Sequence, residues 1–476
     1  MGYKTMVGLE IHCELLTKSK IFCGCTTEFG GQPNTHCCPT CAGLPGELPR
    51  LNKGVVEYAA KACLALNCEI ANSSSMERKS YYYADLPKGY QLSQLFVPLG
   101  ARGYLDIQAN GQDKRIRIRR IHMEEDVGKL VHDQSHDGSL VDYNRSGVPL
   151  IEIVTEPDIS SAQEAEAFLT KLKAILQYIG VSDCKMEEGS LRCDVNITVK
   201  DTQTGKATKI TEVKNLNSFK AVYKAIEYEE ARHRKILEEG RLSTKQTRRW
   251  NDDLGKTTMM RTKGESQDYR FFSDASVLSV EIDDEEIQRI KASLPEMPDA
   301  KYKRFIEEYG LPEYDAGVLT GSKDLSEFFE DCAKIYGDAK TVSNWVMGDL
   351  LRLIKEKDVE IRDIKITPQQ LASLLEYMDK GTISGAMAKK VFEEMFESGK
   401  DPGVIIKERG MVQISDEGKL REIIEEVIAQ NPKSVEDYKG GKKKALGFLV
   451  GQTMKATKGS ANPQLVNKLL KELLQS

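Results

Sequence analysis

Four acid-bearing segments stand out within the first 212 residues: Val7-Gly-Leu-Glu-Ile-His-Cys-Glu14, Ile121-His-Met-Glu-Glu-Asp126, Pro149-Leu-Ile-Glu-Ile-Val-Thr-Glu156 and Lys185-Met-Glu-Glu-Gly-Ser-Leu-Arg-Cys-Asp194. Each sets carboxylates in or beside a strand-like apolar pattern. A carboxylate among Leu, Ile and Val is costly unless a cation or a donor compensates it. Several together point to a divalent cation, and oxygen ligands point to Mg²⁺. That cation in turn points to phosphate chemistry. Any one segment could equally be the wet face of an antiparallel strand. Glu152 is harder to read that way, because Leu150 to Val154 is otherwise wholly apolar.

Five of the eleven cysteines fall between residues 23 and 41, as Cys23-Gly-Cys25 and Cys37-Cys38-Pro-Thr-Cys41. Paired thiols on two short knuckles match a tetrahedral Zn²⁺ site. The best set is Cys23, Cys25, Cys38 and Cys41, with Cys37 and His36 as substitutes or bystanders. Four thiolates close the coordination shell, so this zinc is expected to be structural. The other cysteines read mostly as small buried hydrophobes.

The positioning elements follow from periodicity. Leu9, Ile11, Cys13 and Leu15 alternate with Glu10, His12 and Glu14, as expected of a strand with one buried face. From Leu191 to Val199 the same period of two separates Leu191, Cys193, Val195, Ile197 and Val199 from Arg192, Asp194, Asn196 and Thr198. Between Arg115 and Met123 the apolar phase slips, from Ile116 and Ile118 to Ile121 and Met123. A bulge at Arg119/Arg120 would account for the slip and re-aim His122, Glu124 and Glu125. Ser161-Ala-Gln-Glu164 reads as a capping box for a helix with Ala165, Phe168, Leu169, Leu172, Ile175, Leu176 and Ile179 on one stripe, stopped by Gly180. Ser218 caps another helix ending near Gly240.

This mixture reads as one α+β domain over residues 1–293. Leu294-Pro-Glu-Met-Pro-Asp299 resembles a linker, and beyond it the pattern is helical, over 294–408 and, past a break near Gly410, over 409–476. The whole chain of 476 residues carries a net charge of −5. From Lys433 onward nine lysines face three acids, a net of +6, so the remainder carries −11. A basic helical tail on an acidic body is a footprint for a polyanion, centred on Lys442, Lys443, Lys444, Lys455 and Lys458. A solvated lysine face is the plainer alternative. Few aromatics accompany the lysines, so RNA bound there would be held by backbone and shape.

Several classes drop out. No apolar run reaches the roughly 18 residues of a membrane helix. The start shows neither a signal-peptide core nor a transit segment, so a cytoplasmic protein is expected. Gly255-Lys-Thr257 mimics the end of a phosphate-binding loop, but Trp250 holds the place of its leading glycine. No nucleophile elbow or amidase serine run is present.

Together, Val-Gly-Leu-Glu-Ile-His (7–12), His-Met-Glu-Glu-Asp (122–126), Pro-Leu-Ile-Glu-Ile-Val-Thr-Glu-Pro-Asp (149–158), the segment 185–194 and Lys-Asn-Leu-Asn-Ser-Phe (214–219) resemble the B subunits of the aspartyl/glutamyl-tRNA amidotransferases, the GatB family. Leu446 to Gly459, with Asn462-Pro463, resembles that family's YqeY-like domain. The likeness spans essentially the whole chain in order. It implies a glutamine-synthetase-like cradle with a mixed or antiparallel sheet, a helical domain and a small helical tail that contacts tRNA. It also implies a heterotrimer in which the other two members are an amidase, the A subunit, plus a small C subunit. The amidase would supply ammonia from glutamine. In the cradle, ATP would phosphorylate the side-chain carboxylate of Glu or Asp misloaded on tRNA(Gln) or tRNA(Asn), and ammonia would displace the phosphate.

Carried over residue by residue, the resemblance puts the Mg²⁺–ATP site on Glu10, His12, Glu125 and Glu152, with Glu124 and Glu212 as further contributors. His12 is a softer ligand than Mg²⁺ usually takes. On chemistry alone, Arg192 and Lys214 are candidates to stabilise phosphate charge. Two other classes compete: a glutamine-synthetase-like ligase acting on a free amino acid, and a non-catalytic, zinc-stabilised RNA-binding protein. The first would have no use for a basic tail, the second none for a buried carboxylate cluster.

Overall fold

The computed structural model describes residues 2–132, 138–262, 269–411, 417–439, 442, 444–457, 461 and 463–475. Its chain divides into two units, Met1–Met297 and Pro298–Ser476.

The first unit is built on a sheet of nine strands. In chain order they are β1 (Tyr3–Glu14), β2 (Glu69–Ile70), β3 (Gly100–Ala109), β4 (Gln112–Glu125), β5 (Pro149–Thr155), β6 (Leu191–Asp201), β7 (Thr211–Lys214), β8 (Gln246–Asn251) and β9 (Lys256–Thr262). Across the sheet the order is β9-β8-β7-β6-β1-β5-β4-β3-β2. Every pairing is antiparallel except β7 with β8. With one face apolar and the other polar, an antiparallel sheet is the economical solution. Val7, Leu9, Ile11 and Cys13 of β1, together with Val195 and Ile197 of β6, are buried in the core. Three helices pack against this side: α1 (Lys53–Ala65), α2 (Ala162–Tyr178) and α3 (Phe219–Glu238).

The expected bulge exists. Val154 and Thr155 of β5 pair with Arg120 and Ile118, so Arg119 is the extra residue of β4. The stripe of α2 is buried as its spacing requires, and Gly180 follows it at φ 68°. Its N-terminus departs from a full capping box. Ser161 accepts from the Glu164 N–H (3.2 Å), but Glu164 reaches the Ser160 N–H (2.7 Å), one residue earlier. Gly255 lies between β8 and β9 at φ 56°, so the false phosphate loop is a hairpin connection.

Beneath the sheet, α3 carries a polar network centred on the fully buried Glu229 and His233. Glu229 holds Arg232 (2.6 Å) and Arg248 (3.2 Å), and Thr257 donates to it. His233 bridges Thr208 (2.6 Å) and Thr211 (2.9 Å). Burial works against the Glu229 carboxylate, but hydrogen bonds from His233, Arg232 and Thr257 and the charge of Arg232 win, holding its pKa at about 2. A depressed carboxyl pKa contributes stability above the unfolded value, lost as pH falls towards the folded one. Glu229→Gln is therefore expected to cost on the order of 3 kcal/mol at neutral pH. Denaturant unfolding of both proteins should show the difference shrinking as pH falls from about 4 towards 2; a pH-independent difference would contradict it.

Leu294 and Met297 pack against the first core, which is why that unit extends a few residues past the expected boundary at 293. In the second unit the described elements are all helical. They form two separate apolar clusters, one spanning Phe305 to Ile406 and the other Leu420 to Leu474. Helix Lys323–Tyr336 ends at Gly337 and helix Gly385–Ser398 at Gly399, both left-handed caps suited to glycine. Among the described residues no helix is long and apolar enough to cross a membrane.

Candidate active site and metal-binding groups

The face of the sheet opposite the helices is polar, and the registers determine which side chains meet there. Glu10 lies opposite Asp194, His12 opposite Glu152, Glu152 opposite His122, and Asn196 opposite Glu212. These rows line a cleft of about 670 Å³.

Two groups of possible cation ligands form in it. His12, Glu124 and Glu152 make one, and Glu10, Asp194 and Glu212 the other; within each, the ligand atoms lie within 4.8 Å of one another. An octahedral Mg²⁺ with bonds of about 2.0–2.1 Å separates its oxygens by roughly 3 to 4 Å. The donor sets therefore fit a small hard cation, with one imidazole as the unusual member.

Fixed donors hold the ligands in place. Gln91 and Ser93, from a short strand Tyr90–Ser93, donate to Glu124, Ser93 at 3.2 Å. Asn196 donates to Glu10 (3.0 Å) and Thr247 to Glu212 (2.9 Å). His122 Nε2 sits between Glu152 (3.2 Å) and Glu124 (3.4 Å). Burial alone would push the His122 pKa down, but the two carboxylates outweigh it and raise it to about 9. Burial likewise opposes the charge on Glu152, yet His122, His12 and Lys79 hold its pKa well below the carboxylate range. Glu10 goes the other way: burial, then Glu152, Asp194 and Glu212, raise it, with Lys214 pulling back. Around Glu10 the carboxylates of Glu152, Asp194 and Glu212 crowd one another, a local repulsion that a divalent cation would relieve.

The thiol knuckle is a separate construction. Sulfur atoms of Cys23, Cys25, Cys38 and Cys41 also lie within 4.8 Å of one another. Zn–S bonds of about 2.3 Å in a tetrahedron put neighbouring sulfurs roughly 3.8 Å apart, and Cys38 and Cys41 stand at 3.9 Å. The Cys41 sulfur accepts from the Cys38 N–H (3.1 Å) and faces the fully buried Lys20 ammonium (3.7 Å). The set fits Zn²⁺ and leaves no position open. Cys37 instead donates to the Asn34 carbonyl (3.1 Å), and the His36 ring lies against Gly31. Both are bystanders to the four sulfurs.

Of the residues expected in the cation site, Glu10, His12, Glu124, Glu152 and Glu212 are brought together, but Glu125 is not. Its carboxylate accepts from Lys88 (2.5 and 2.6 Å) and from the Leu92 N–H (2.7 Å), in a small cavity beside Cys23 and Cys41. The reason is the strand period: Glu125 shares the phase of Ile121 and Met123, while His122 and Glu124 share the cleft face. Arg192 is also committed elsewhere, to Asp126 (2.8 Å), which Arg145 approaches from another side (3.4 Å). Lys214 does line the cleft, paired with Asp194 and with Glu212 (3.1 Å).

Sequence reading passed over His122, Asp194 and Lys79 as site residues. The first two stood inside the quoted segments, and their phase marked them. Lys79, 3.9 Å from Glu124, sits on the short strand Glu77–Ser80, which carries no pattern of its own. In the tail, Lys442, Lys444 and Lys455 are exposed, with Lys442 paired to Asp437 (2.9 Å). Lys443 and Lys458 lie outside the described residues.

The fold and site define an α+β sheet domain whose polar face gathers two carboxylate-bearing groups able to hold a metal ion, followed in the chain by helices. Residues 5–288 match the GatB/GatE catalytic domain and residues 327–474 the GatB domain. Over the full length of both chains, this one is 60% identical to the aspartyl/glutamyl-tRNA(Asn/Gln) amidotransferase B subunit of Thermoanaerobacter sp. (strain X514) and 58% identical to that of Caldicellulosiruptor bescii. The like-named protein of Clostridium tetani is 52% identical over 99% of each chain. The chain belongs to the family of aspartyl/glutamyl-tRNA(Asn/Gln) amidotransferase B subunits.

Proposed function

We propose that this chain is the part of a tRNA-dependent amidotransferase that activates and amidates the misloaded amino acid. ATP phosphorylates the side-chain carboxylate of Glu on tRNA(Gln) or Asp on tRNA(Asn); ADP leaves, ammonia attacks the activated carbonyl carbon, and phosphate departs. An amidase, the A subunit of the complex, releases the ammonia from glutamine, and a small C subunit completes the heterotrimer. The observation that carries this reading is the pair of ligand groups on one sheet face, His12/Glu124/Glu152 and Glu10/Asp194/Glu212. These residues would hold divalent cations, whose charge would offset the negative charge developing on the transferred group.

The chain's own residues supply the rest. Lys79 and Lys214 add fixed positive charge beside the carboxylates, at 3.9 Å from Glu124 and 3.1 Å from Glu212. His122, buried between two carboxylates, holds Glu124 and Glu152 in register. Cys23, Cys25, Cys38 and Cys41 would hold Zn²⁺ with a closed coordination shell, which would anchor their loop and leave no position for the reaction.

The test is Mg²⁺-dependent ADP release by the assembled complex with no ammonia donor. Release with misacylated tRNA, and not with uncharged tRNA or free glutamate, is the expected result. Release with free glutamate would favour a ligase of small amino acids. RNA binding without any ADP release would favour a non-catalytic RNA-binding protein.

The tail lysines are proposed to grip the tRNA backbone. Neutralising Lys442, Lys443, Lys444, Lys455 and Lys458 together should weaken tRNA binding and reduce the slope of log K against log salt by several, at about one for each phosphate no longer neutralised. An unchanged slope would move the RNA site elsewhere.

A further inference from the structure

Arg119 and Arg120 are consecutive, yet both line the cleft, because the bulge at Arg119 breaks the alternation of β4. Their situations differ. Arg119 is tied to Glu156 by two bonds, at 3.0 and 2.8 Å. Among the described residues Arg120 makes no ion pair or side-chain hydrogen bond, and its Nε is buried without a partner. Lys79 and Lys214 face carboxylates, and His122 touches two. Arg120 is thus a cation lining the cleft beside both carboxylate groups, with its donors still to be used. A buried N–H without an acceptor is costly to keep, so a bound group that satisfies it gains accordingly.

We infer that Arg120 is the oxyanion-binding residue of this cleft, its guanidinium gripping two oxygens of a bound carboxylate or phosphate. The inference rests on the phosphoryl-transfer reading above and deepens it by naming where the reacting anion is held. Position supports it. On β4, Arg120 lies one alternation from His122, and its strand neighbour Val154 lies opposite Glu10. An anion on Arg120 is therefore flanked by both ligand groups. The planar fork matches a carboxylate or a phosphoryl edge with two parallel hydrogen bonds, which a lysine at this position could not do. The bulge then acquires a function: it turns one more cation onto the cleft face than a regular strand would allow.

Two anions share this chemistry, the phosphate chain of ATP and the side-chain carboxylate of the aminoacyl ester. The experiment separates them in the assembled complex by calorimetry with two unreactive probes, Mg²⁺·AMP-PNP and an adenosine bearing glutamate through a stable 3′-amide. Arg120→Ala should weaken one probe by about 10- to 100-fold and leave the other nearly unchanged, and the weakened probe names the anion. Arg120→Lys should recover only part of the loss, and free guanidinium ion should restore binding to Arg120→Ala. Wild-type affinity for both probes in Arg120→Ala would overturn the inference. So would an equal loss of both without guanidinium rescue in a variant of unchanged thermal midpoint. Should Arg120→Ala fold poorly, Arg120→Gln carries the same comparison. A wild-type complex that releases no ADP would sink the phosphoryl-transfer reading, while the binding constants would still decide Arg120.

Discussion

Glu152→Gln is expected to lower ADP release by about 10³-fold or more, the rate equivalent of losing several kcal/mol of charge stabilisation at the phosphoryl group. Affinity for tRNA should stay nearly intact, since phosphate contacts elsewhere supply it. The effect is large because Glu152 serves three partners. It is a member of the His12/Glu124/Glu152 group, approaches His12 at 3.6 Å, and approaches His122 at 3.2 Å. Glutamine keeps the shape but removes the charge, so a cation loses a ligand and His122 loses the carboxylate that does most to raise its pKa. The His122 pKa should fall from about 9 towards its ordinary value, visible in its NMR titration. Retained ADP release with an unchanged Mg²⁺ requirement would remove Glu152 from the site.

Cys41→Ser is expected to have the largest effect on stability. The purified wild-type chain should carry one Zn²⁺ by metal analysis, and the variant none or a fraction. Structural zinc in small peptides contributes an apparent 10–16 kcal/mol or so. In a domain with its own core only part of that is expected, lowering the unfolding midpoint on the order of 10 °C. Cys41 is the most revealing of the four, being buried and facing the Cys38 N–H and the Lys20 ammonium, which together favour a thiolate. Removal of its sulfur leaves a fully buried lysine with the Tyr143 carbonyl as its other hydrogen-bonding partner (3.4 Å). Cys37→Ser, whose thiol bonds only a carbonyl, should change neither zinc content nor midpoint. Zinc-free wild-type protein with an unaltered midpoint after chelation would contradict the knuckle assignment.

Much of the fold was legible because apolar periodicity was strict where the core is. The β1 and β6 faces, the α2 stripe and the bulge in β4 could all be located from the spacing of Leu, Ile and Val. The site was legible to the extent that it lay on those same strands. Glu10, His12 and Glu152 lie on strands that the periodicity located; Asp194 and His122 share their phase but were not singled out. Glu125 lies outside both ligand groups, unlike the placement the resemblance implied. A two-residue repeat cannot put both Glu124 and Glu125 in the cleft, and the phase of Ile121 and Met123 already assigned Glu125 to the other side. Lys79, Gln91 and Ser93 were not legible. They reach the cleft from two short strands paired outside the main sheet, Glu77–Ser80 with Tyr90–Ser93. Such a pairing is set by tertiary packing, and four residues carry too little pattern to reveal it.

On this sheet face the side-chain carboxylate itself is expected to attack ATP. The most direct measurement uses the assembled complex, ATP, glutamine and Glu-tRNA(Gln) or Asp-tRNA(Asn) whose side-chain carboxylate carries heavy oxygen. Phosphorylation followed by displacement with ammonia must leave one carboxylate oxygen on the phosphate that departs. Inorganic phosphate bearing a single heavy oxygen is expected for each amide formed, with labelled phosphate and amide falling together by about 10³-fold in Glu152→Gln. Amide formation with unlabelled phosphate would contradict it, since the carboxylate would then never have been joined to the phosphoryl group.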